Sequence, residues 1–201
     1  MLGRAKDALR WLFWGSRVLV RGTLDLVSLV RGGELGDAIE PWMRVDYAED
    51  IPFEQVAAGG AKAVLFDLEN TLVPPGGPLT QDGRDILGKA RAAGLEIAVV
   101  SNASASWVGD AMRSEGIPFV APAGKPAKEA FVAACRVVGV TPAQAVYVGD
   151  QVITDVLGSQ RAGLRAILVT PKYTKEFKSA KFQRLVARAV IRLAKGKKRN
   201  L

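Results

Sequence analysis

Between residues 61 and 170 the chain alternates short apolar runs with segments of helical periodicity. This alternation narrows the folds open to it more than any other feature. AKAVLF (61–66), LEIAVVS (95–101), a short stretch near PFVAP (118–122), AVYVG (145–149) and LRAILVT (164–170) read as strands. Between them, DGRDILGKARAA (82–93) and the stretches 104–114, 126–138 and 152–162 read as helices, with Gly94 stopping the first and VPPGGP (73–78) forming a turn before it. The strands are apolar on both faces. Such strands belong to a parallel sheet covered by helices, so the expected fold is α/β, a doubly wound parallel sheet with helices on both faces.

In sheets of this kind ligands bind beyond the C-terminal ends of the strands. Three of the strand ends carry polar residues: Asp67 and Glu69 after the first, Ser101 and Asn102 after the second, and Asp150 after AVYVG. Lys125 precedes a helix that starts at the same rim. Like charges two positions apart repel, so the Asp67–Glu69 pair needs a reason beyond structure. Asp67 and Glu69 on one loop, with Asp150 on a neighbouring strand, make a cage for Mg²⁺, which favours oxygen ligands. An aspartate beside such an ion can attack phosphorus, and a second carboxylate can protonate the leaving oxygen. Ser101 and Lys125 would then supply a hydroxyl donor and a positive charge to the transferring phosphoryl oxygens. The chain has no histidine, which excludes Ser-His-Asp and Cys-His catalysis and histidine-ligated metals. Its one cysteine, Cys135, lies on an apolar helix face and reads as core. A single cysteine forms no internal disulfide and fits a reducing compartment.

The residues 67-DLENT-71, 101-SN-102, 125-KP-126 and 149-GDQVITD-155 resemble, in order, the four motifs of haloacid dehalogenase-like (HAD) phosphohydrolases. Their spacing is most similar to the YqeG-type HAD IIIA phosphatases, and the likeness covers roughly residues 40–172. The resemblance implies Asp67 as nucleophile and Glu69 as general acid/base. It implies Mg²⁺ held by Asp67, the backbone carbonyl of Glu69 and Asp150. Asp155 would be a further acid, orienting Lys125 or acting near the metal. Ser101, Asn102 through its backbone, and Lys125 would hold the phosphoryl group. One position departs from the family pattern, which has Asp where this chain has Glu69; the extra methylene moves the carboxyl by roughly 1.5 Å. In relatives a cap domain is inserted near these motifs. Here Asp67 and Ser101 are 34 positions apart, and Ser101 and Lys125 are 24 apart. Neither gap holds a folded cap, so the site should be open and suited to large substrates: lipid headgroups, phosphoproteins or nucleic-acid ends.

The net charge of +8 is carried by the two ends. Residues 172–201 hold eleven Lys/Arg against one acid, residues 1–31 hold six against two, and residues 32–171 are net −6. The expected organisation is an amphipathic helical extension over 1–45, the phosphatase core over 46–172, and a basic amphipathic helix and tail over 173–201. In residues 1–31, Arg10, Arg17, Arg21 and Arg31 share a helical face opposite Leu12, Leu19 and Val30, with Trp11 and Trp14 near the boundaries. Arg17, Arg21 and Asp25 interrupt the stretch, so the expectation is neither a membrane span nor a good secretory signal. In residues 175–199, Lys181, Arg184, Arg188 and Arg192 face away from Phe182, Val186 and Leu193. Both ends suit an anionic membrane surface. The expectation is a cytoplasmic enzyme, peripheral on the inner membrane face, hydrolysing a lipid-linked phosphate such as phosphatidylglycerophosphate. Two alternatives stand beside it: a phosphatase for a soluble or nucleic-acid-end phosphate, and a binding module whose site has decayed at Glu69. The basic tail could also hold nucleic acid, although no aromatics interleave its last lysines. The apolar face of residues 1–31 could equally serve a dimer.

Overall fold

The computed structural model describes residues 39–173. The expected helices in 1–31 and 175–199 lie outside the described residues. In chain order the elements are β1 (Met43–Val45), α1 (Phe53–Ala58), β2 (Ala63–Phe66), α2 (Gln81–Ala92), β3 (Glu96–Val100), α3 (Ala105–Met112), β4 (Phe119–Val120), α4 (Lys128–Val137), β5 (Ala145–Gly149), α5 (Gly158–Arg161) and β6 (Arg165–Val169). The six strands of the described residues pair in parallel, in the order β1-β6-β5-β2-β3-β4. The α/β doubly wound expectation is what the chain forms.

The alternation of the central strands builds two cores. Val64 and Phe66 of β2, with Ile97, Val99, Val146 and Val148, pack against Phe53, Ile86, Leu87 and Met112 of α1, α2 and α3. Ala63 and Leu65, with Val100 and Tyr147, pack against Phe131 and Ala134 of α4. Every residue of β2 and β5 is buried, which is why these strands read as unbroken apolar runs. The intervals between motifs are spent on the sheet and its own helices, and no domain is inserted in either.

Three differences from the sequence reading have physical causes. The sheet begins at β1, inside the stretch 1–45 assigned to an extension. β1 is a three-residue edge strand centred on an exposed arginine, too short to show a period. Helix 104–114 ends at Met112 and closes in a tight 3₁₀ turn over Arg113–Glu115, which Gly116 stops in the left-handed region. Residues 152–162 do not form one regular helix. Val152–Leu157 is a wide π-type turn, in which the Val156 N–H reaches back five residues to Gln151 O, and only Gly158–Arg161 is α-helical. Turns of this width concentrate at functional positions.

Candidate active site

After β2 the chain moves outward to β3 and β4; after β5 it moves the other way, to β6. Between β2 and β5 the winding reverses, and a crevice opens at their C-terminal ends. Asp67 follows β2 directly and Asp150 follows β5. The Asp67 N–H donates to Val148 O (2.8 Å), locking the two strand ends together. Asp155 is carried in by the π-type turn. Oxygen atoms of these three buried aspartates lie within 4.8 Å of one another. No other grouping of acids, cysteines and histidines among the described residues comes as close to a metal site.

Lys125 stands in the middle. Its side chain is 3 % exposed, and Nζ donates to Asp67 Oδ1 (2.8 Å), Asp155 Oδ1 (2.8 Å) and the Tyr147 hydroxyl (2.7 Å). An ammonium has three N–H donors, and all three are used. In this arrangement the lysine holds Asp67, and meets a phosphoryl oxygen only by exchanging one of these acceptors. The remaining Asp155 oxygen accepts the Gln151 N–H (2.9 Å), so both oxygens of that carboxylate are engaged. Its contacts orient Lys125, and one of its oxygens also belongs to the acidic cluster with Asp67 and Asp150. Gly149 makes room for it: a Cβ there would sit 2.5 Å from the Asp155 carboxyl.

Ser101 and Asn102 divide their work. The residue that caps α3 is Ser104, whose hydroxyl accepts the Trp107 N–H (3.5 Å). Ser101 is therefore not spent on the helix. It is buried at the rim, and its Oγ accepts the Ala103 N–H (3.2 Å). The Asn102 side chain pairs with the backbone of Lys125 in both directions: Oδ1 accepts the Lys125 N–H (2.8 Å), and Nδ2 donates to its carbonyl (3.1 Å). The side chain thus fixes the Lys125 loop, and only the Asn102 backbone is left for a phosphoryl group. Glu69 turns toward the 73–78 turn, where Oε1 accepts the Gly76 N–H (3.2 Å). Its carboxylate is not part of the group formed by the three aspartates. Asn70, with φ 61°, takes the left-handed conformation that lets the loop double back from Glu69 to Val73.

Burial and charge set the protonation of these groups. Burial pushes the Asp67 carboxyl up from 3.8 to about 7; Asp155 adds to the rise, and Lys125 opposes it. Burial also raises Glu69, against the Gly76 N–H. Lys125 is raised by its two carboxylates in spite of burial, and stays charged. Three buried acids face one buried ammonium, which leaves a surplus of two negative charges when all are ionised. A divalent cation with a preference for oxygen fits that surplus. Asn70 Oδ1, Thr71 Oγ1 and Thr154 Oγ1, close in sequence to these acids, are buried without a partner among the described residues. Tyr147 was not singled out in the sequence, where it passes as filler of an apolar strand. The available signal is that a fully buried phenol must find a partner for its hydroxyl.

The HAD-hydrolase-like family model matches residues 122–188. The chain is 32% identical over 145 residues to the probable phosphatase YqeG of Bacillus subtilis (strain 168), covering 72% of this chain and 84% of that protein. It is 30% identical over 177 residues to the phosphoglycolate phosphatase of Psychrobacter arcticus, covering 81% of this chain and 68% of that one. A crystal structure of an uncharacterized protein from Listeria monocytogenes serotype 4b aligns with a TM-score of 0.46 at 23% identity, over 53% of this chain and 77% of that one. Four ordered motifs gathered at a reversal of sheet winding, with 32% identity to a probable phosphatase over most of that protein's length, place the chain among the haloacid dehalogenase-like hydrolases, as one of their phosphatases.

Proposed function

We propose that the protein is a Mg²⁺-dependent phosphomonoesterase working through an aspartyl-phosphate on Asp67. The observation that carries this reading is the hold of Lys125 on Asp67 Oδ1 at 2.8 Å, in a buried crevice shared with Asp150. Asp67, Asp150 and the Glu69 carbonyl would hold the ion, which neutralises charge on the phosphoryl oxygens when bound. Lys125 aims one carboxylate oxygen of Asp67. The other attacks phosphorus, and the bond from phosphorus to the leaving oxygen breaks. Glu69, raised by burial, gives its proton to that oxygen. Glu69 then takes a proton from water as the water oxygen attacks the aspartyl-phosphate; the bond from phosphorus to Asp67 breaks, and inorganic phosphate and the carboxylate are regenerated. Ser101 and the Asn102 backbone donate to the phosphoryl oxygens. General acid–base help of this kind contributes about 10²–10⁴-fold.

For the substrate, the reading is a large or lipid-linked phosphomonoester such as phosphatidylglycerophosphate. It is supported by the absence of an inserted cap and by the basic ends of the chain. A second reading, a small soluble phosphate, is favoured by the likeness to a phosphoglycolate phosphatase. Phosphate release from phosphatidylglycerophosphate in mixed micelles, from phosphoglycolate and from an aryl phosphate, with and without Mg²⁺, tests both. Activity on any of them is expected to need Mg²⁺ and to vanish in Asp67→Asn. A lipid preference appears as a higher kcat/KM on micelles. Silence on all three substrates overturns the catalytic reading.

A further inference from the structure

We infer that Tyr147 is a positioning residue of this phosphatase: its hydroxyl fixes the direction of the Lys125 ammonium and, through it, the aim of Asp67. The inference rests on the catalytic reading above. Two of the three acceptors around Lys125 Nζ are carboxylates, Asp67 and Asp155, which attract it from different elements. A flexible four-carbon side chain between two anions has no unique direction unless the third donor is also held. The phenol supplies that third point at 2.7 Å, the shortest of the three contacts. It is itself immobilised. The hydroxyl accepts from Lys125 and donates its single proton to Val100 O (3.1 Å), with Asp155 Oδ1 farther off at 3.4 Å. The ring is fully buried and meets Phe131 edge-on, centroids 4.9 Å apart.

Tyr147 therefore joins three strand ends of the site. It stands on β5, three residues before Asp150. It donates to the last residue of β3, next to Ser101, and it receives the lysine that holds the residue following β2. A phenol suits this place better than a third acid would. It accepts a hydrogen bond without adding negative charge to a site that already has a surplus, so it directs the lysine without competing for its charge. The part is one of orientation, since the hydroxyl points at the lysine and the backbone.

Tyr147→Phe keeps the ring and its packing but removes the hydroxyl. Misplacing a catalytic group by about 1 Å costs on the order of a hundredfold; here a partial loss, a fall in kcat of at least about tenfold on an aryl phosphate with KM within about threefold, is expected. Ile86→Val is the control. It removes a methyl from the core on the other face of the sheet, away from the Tyr147 ring, so it should lower the melting temperature by a comparable amount and leave kcat within about threefold. A Tyr147→Phe enzyme with wild-type kcat, or an Ile86→Val enzyme that falls equally, overturns the inference. A second measurement is independent of turnover. The ¹⁵Nζ–¹H resonance of Lys125, assigned by its disappearance in Lys125→Met, should be protected from solvent exchange in the wild type and lose that protection in Tyr147→Phe. Unchanged protection overturns the inference even if the enzyme is active. Were the wild type silent on every phosphomonoester, the catalytic reading would fall and the resonance alone would decide whether the phenol directs the lysine.

Discussion

One oxygen each of Asp67, Asp150 and Asp155 lies within 4.8 Å of the others, and Lys125 pairs with Asp67 and Asp155. The Asp67 carboxyl rises from 3.8 to about 7, chiefly because burial strips it of water. A carboxyl whose folded pKa exceeds its unfolded one binds its proton more tightly in the folded state. Its contribution to stability is therefore complete below about pH 4 and is lost as pH rises through about 7. The metal-free protein should melt at a lower temperature near pH 8 than near pH 5. Mg²⁺ should restore more at the higher pH, since ligands must be deprotonated to bind it. Thermal scans in chelator and in Mg²⁺ at the two pH values, on wild type and Asp67→Asn, measure this. The variant has no carboxyl at that position, so its pH dependence should be the weaker. A metal-free wild type that is more stable near pH 8, or an unchanged dependence in Asp67→Asn, would refute the assignment. Removing Lys125 has a related cost. Taking one partner out of a buried ion pair costs about 3–5 kcal/mol, because the charges left behind are unpaired.

The turn that follows β5 carries much of the site's geometry. Asp155 reaches Lys125 because Val152–Leu157 winds as a π-type turn and because Gly149 presents no side chain in its path. A methyl at 149 would stand 2.5 Å from the Asp155 carboxyl, and either the turn or the strand end must move. Gly149→Ala is expected to lose about 1–3 kcal/mol of stability through overpacking, and activity on the order of a hundredfold through displacement of the lysine. Gly88→Ala, on α2 where a Cβ would meet nothing within 4 Å, should be neutral or slightly stabilising. Urea unfolding and aryl-phosphate turnover of the pair decide the point; equal behaviour of the two variants would mean that Gly149 is not shaped by Asp155. The strands of this element set were legible because β2, β3 and β5 are buried on both faces, and their polar ends marked the rim. The π-type turn was not, because the pull of Asp155 toward Lys125 is a tertiary contact that residue spacing does not encode. β1 was missed as a three-residue edge strand. The side-chain part of Asn102 escaped notice since its partner is the backbone of a residue 23 positions away. Tyr147 was hidden by its ring, which satisfies an apolar pattern while the hydroxyl serves the site.

At the scale of the molecule, the charge that the core lacks is concentrated where the chain leaves it. Strand β6 ends on the same rim as Asp67. Just beyond it, the Lys172 N–H points to Asn70 O (3.5 Å), while Nζ is clasped by Glu49 Oε1 (2.6 Å) and Asp82 Oδ2 (2.8 Å). The segment that follows, residues 174–201, carries ten Lys/Arg against one acid. No helix of the described residues is long and apolar enough to cross a membrane. Near an anionic surface each basic residue contributes about 1 kcal/mol, falling off within a Debye length. Between about 0.1 M and about 1 M salt that length shrinks from ~10 to ~3 Å. Co-sedimentation with phosphatidylglycerol vesicles should therefore be strong at low salt, weak at high salt and absent with phosphatidylcholine. Turnover of a soluble aryl phosphate should change little over the same range, since the buried ion pairs of the site are far less screened. If instead the protein ignores anionic vesicles and retains single-stranded RNA with a steep salt dependence, the basic ends serve nucleic acid, and the search for the substrate moves to phosphorylated nucleic-acid ends.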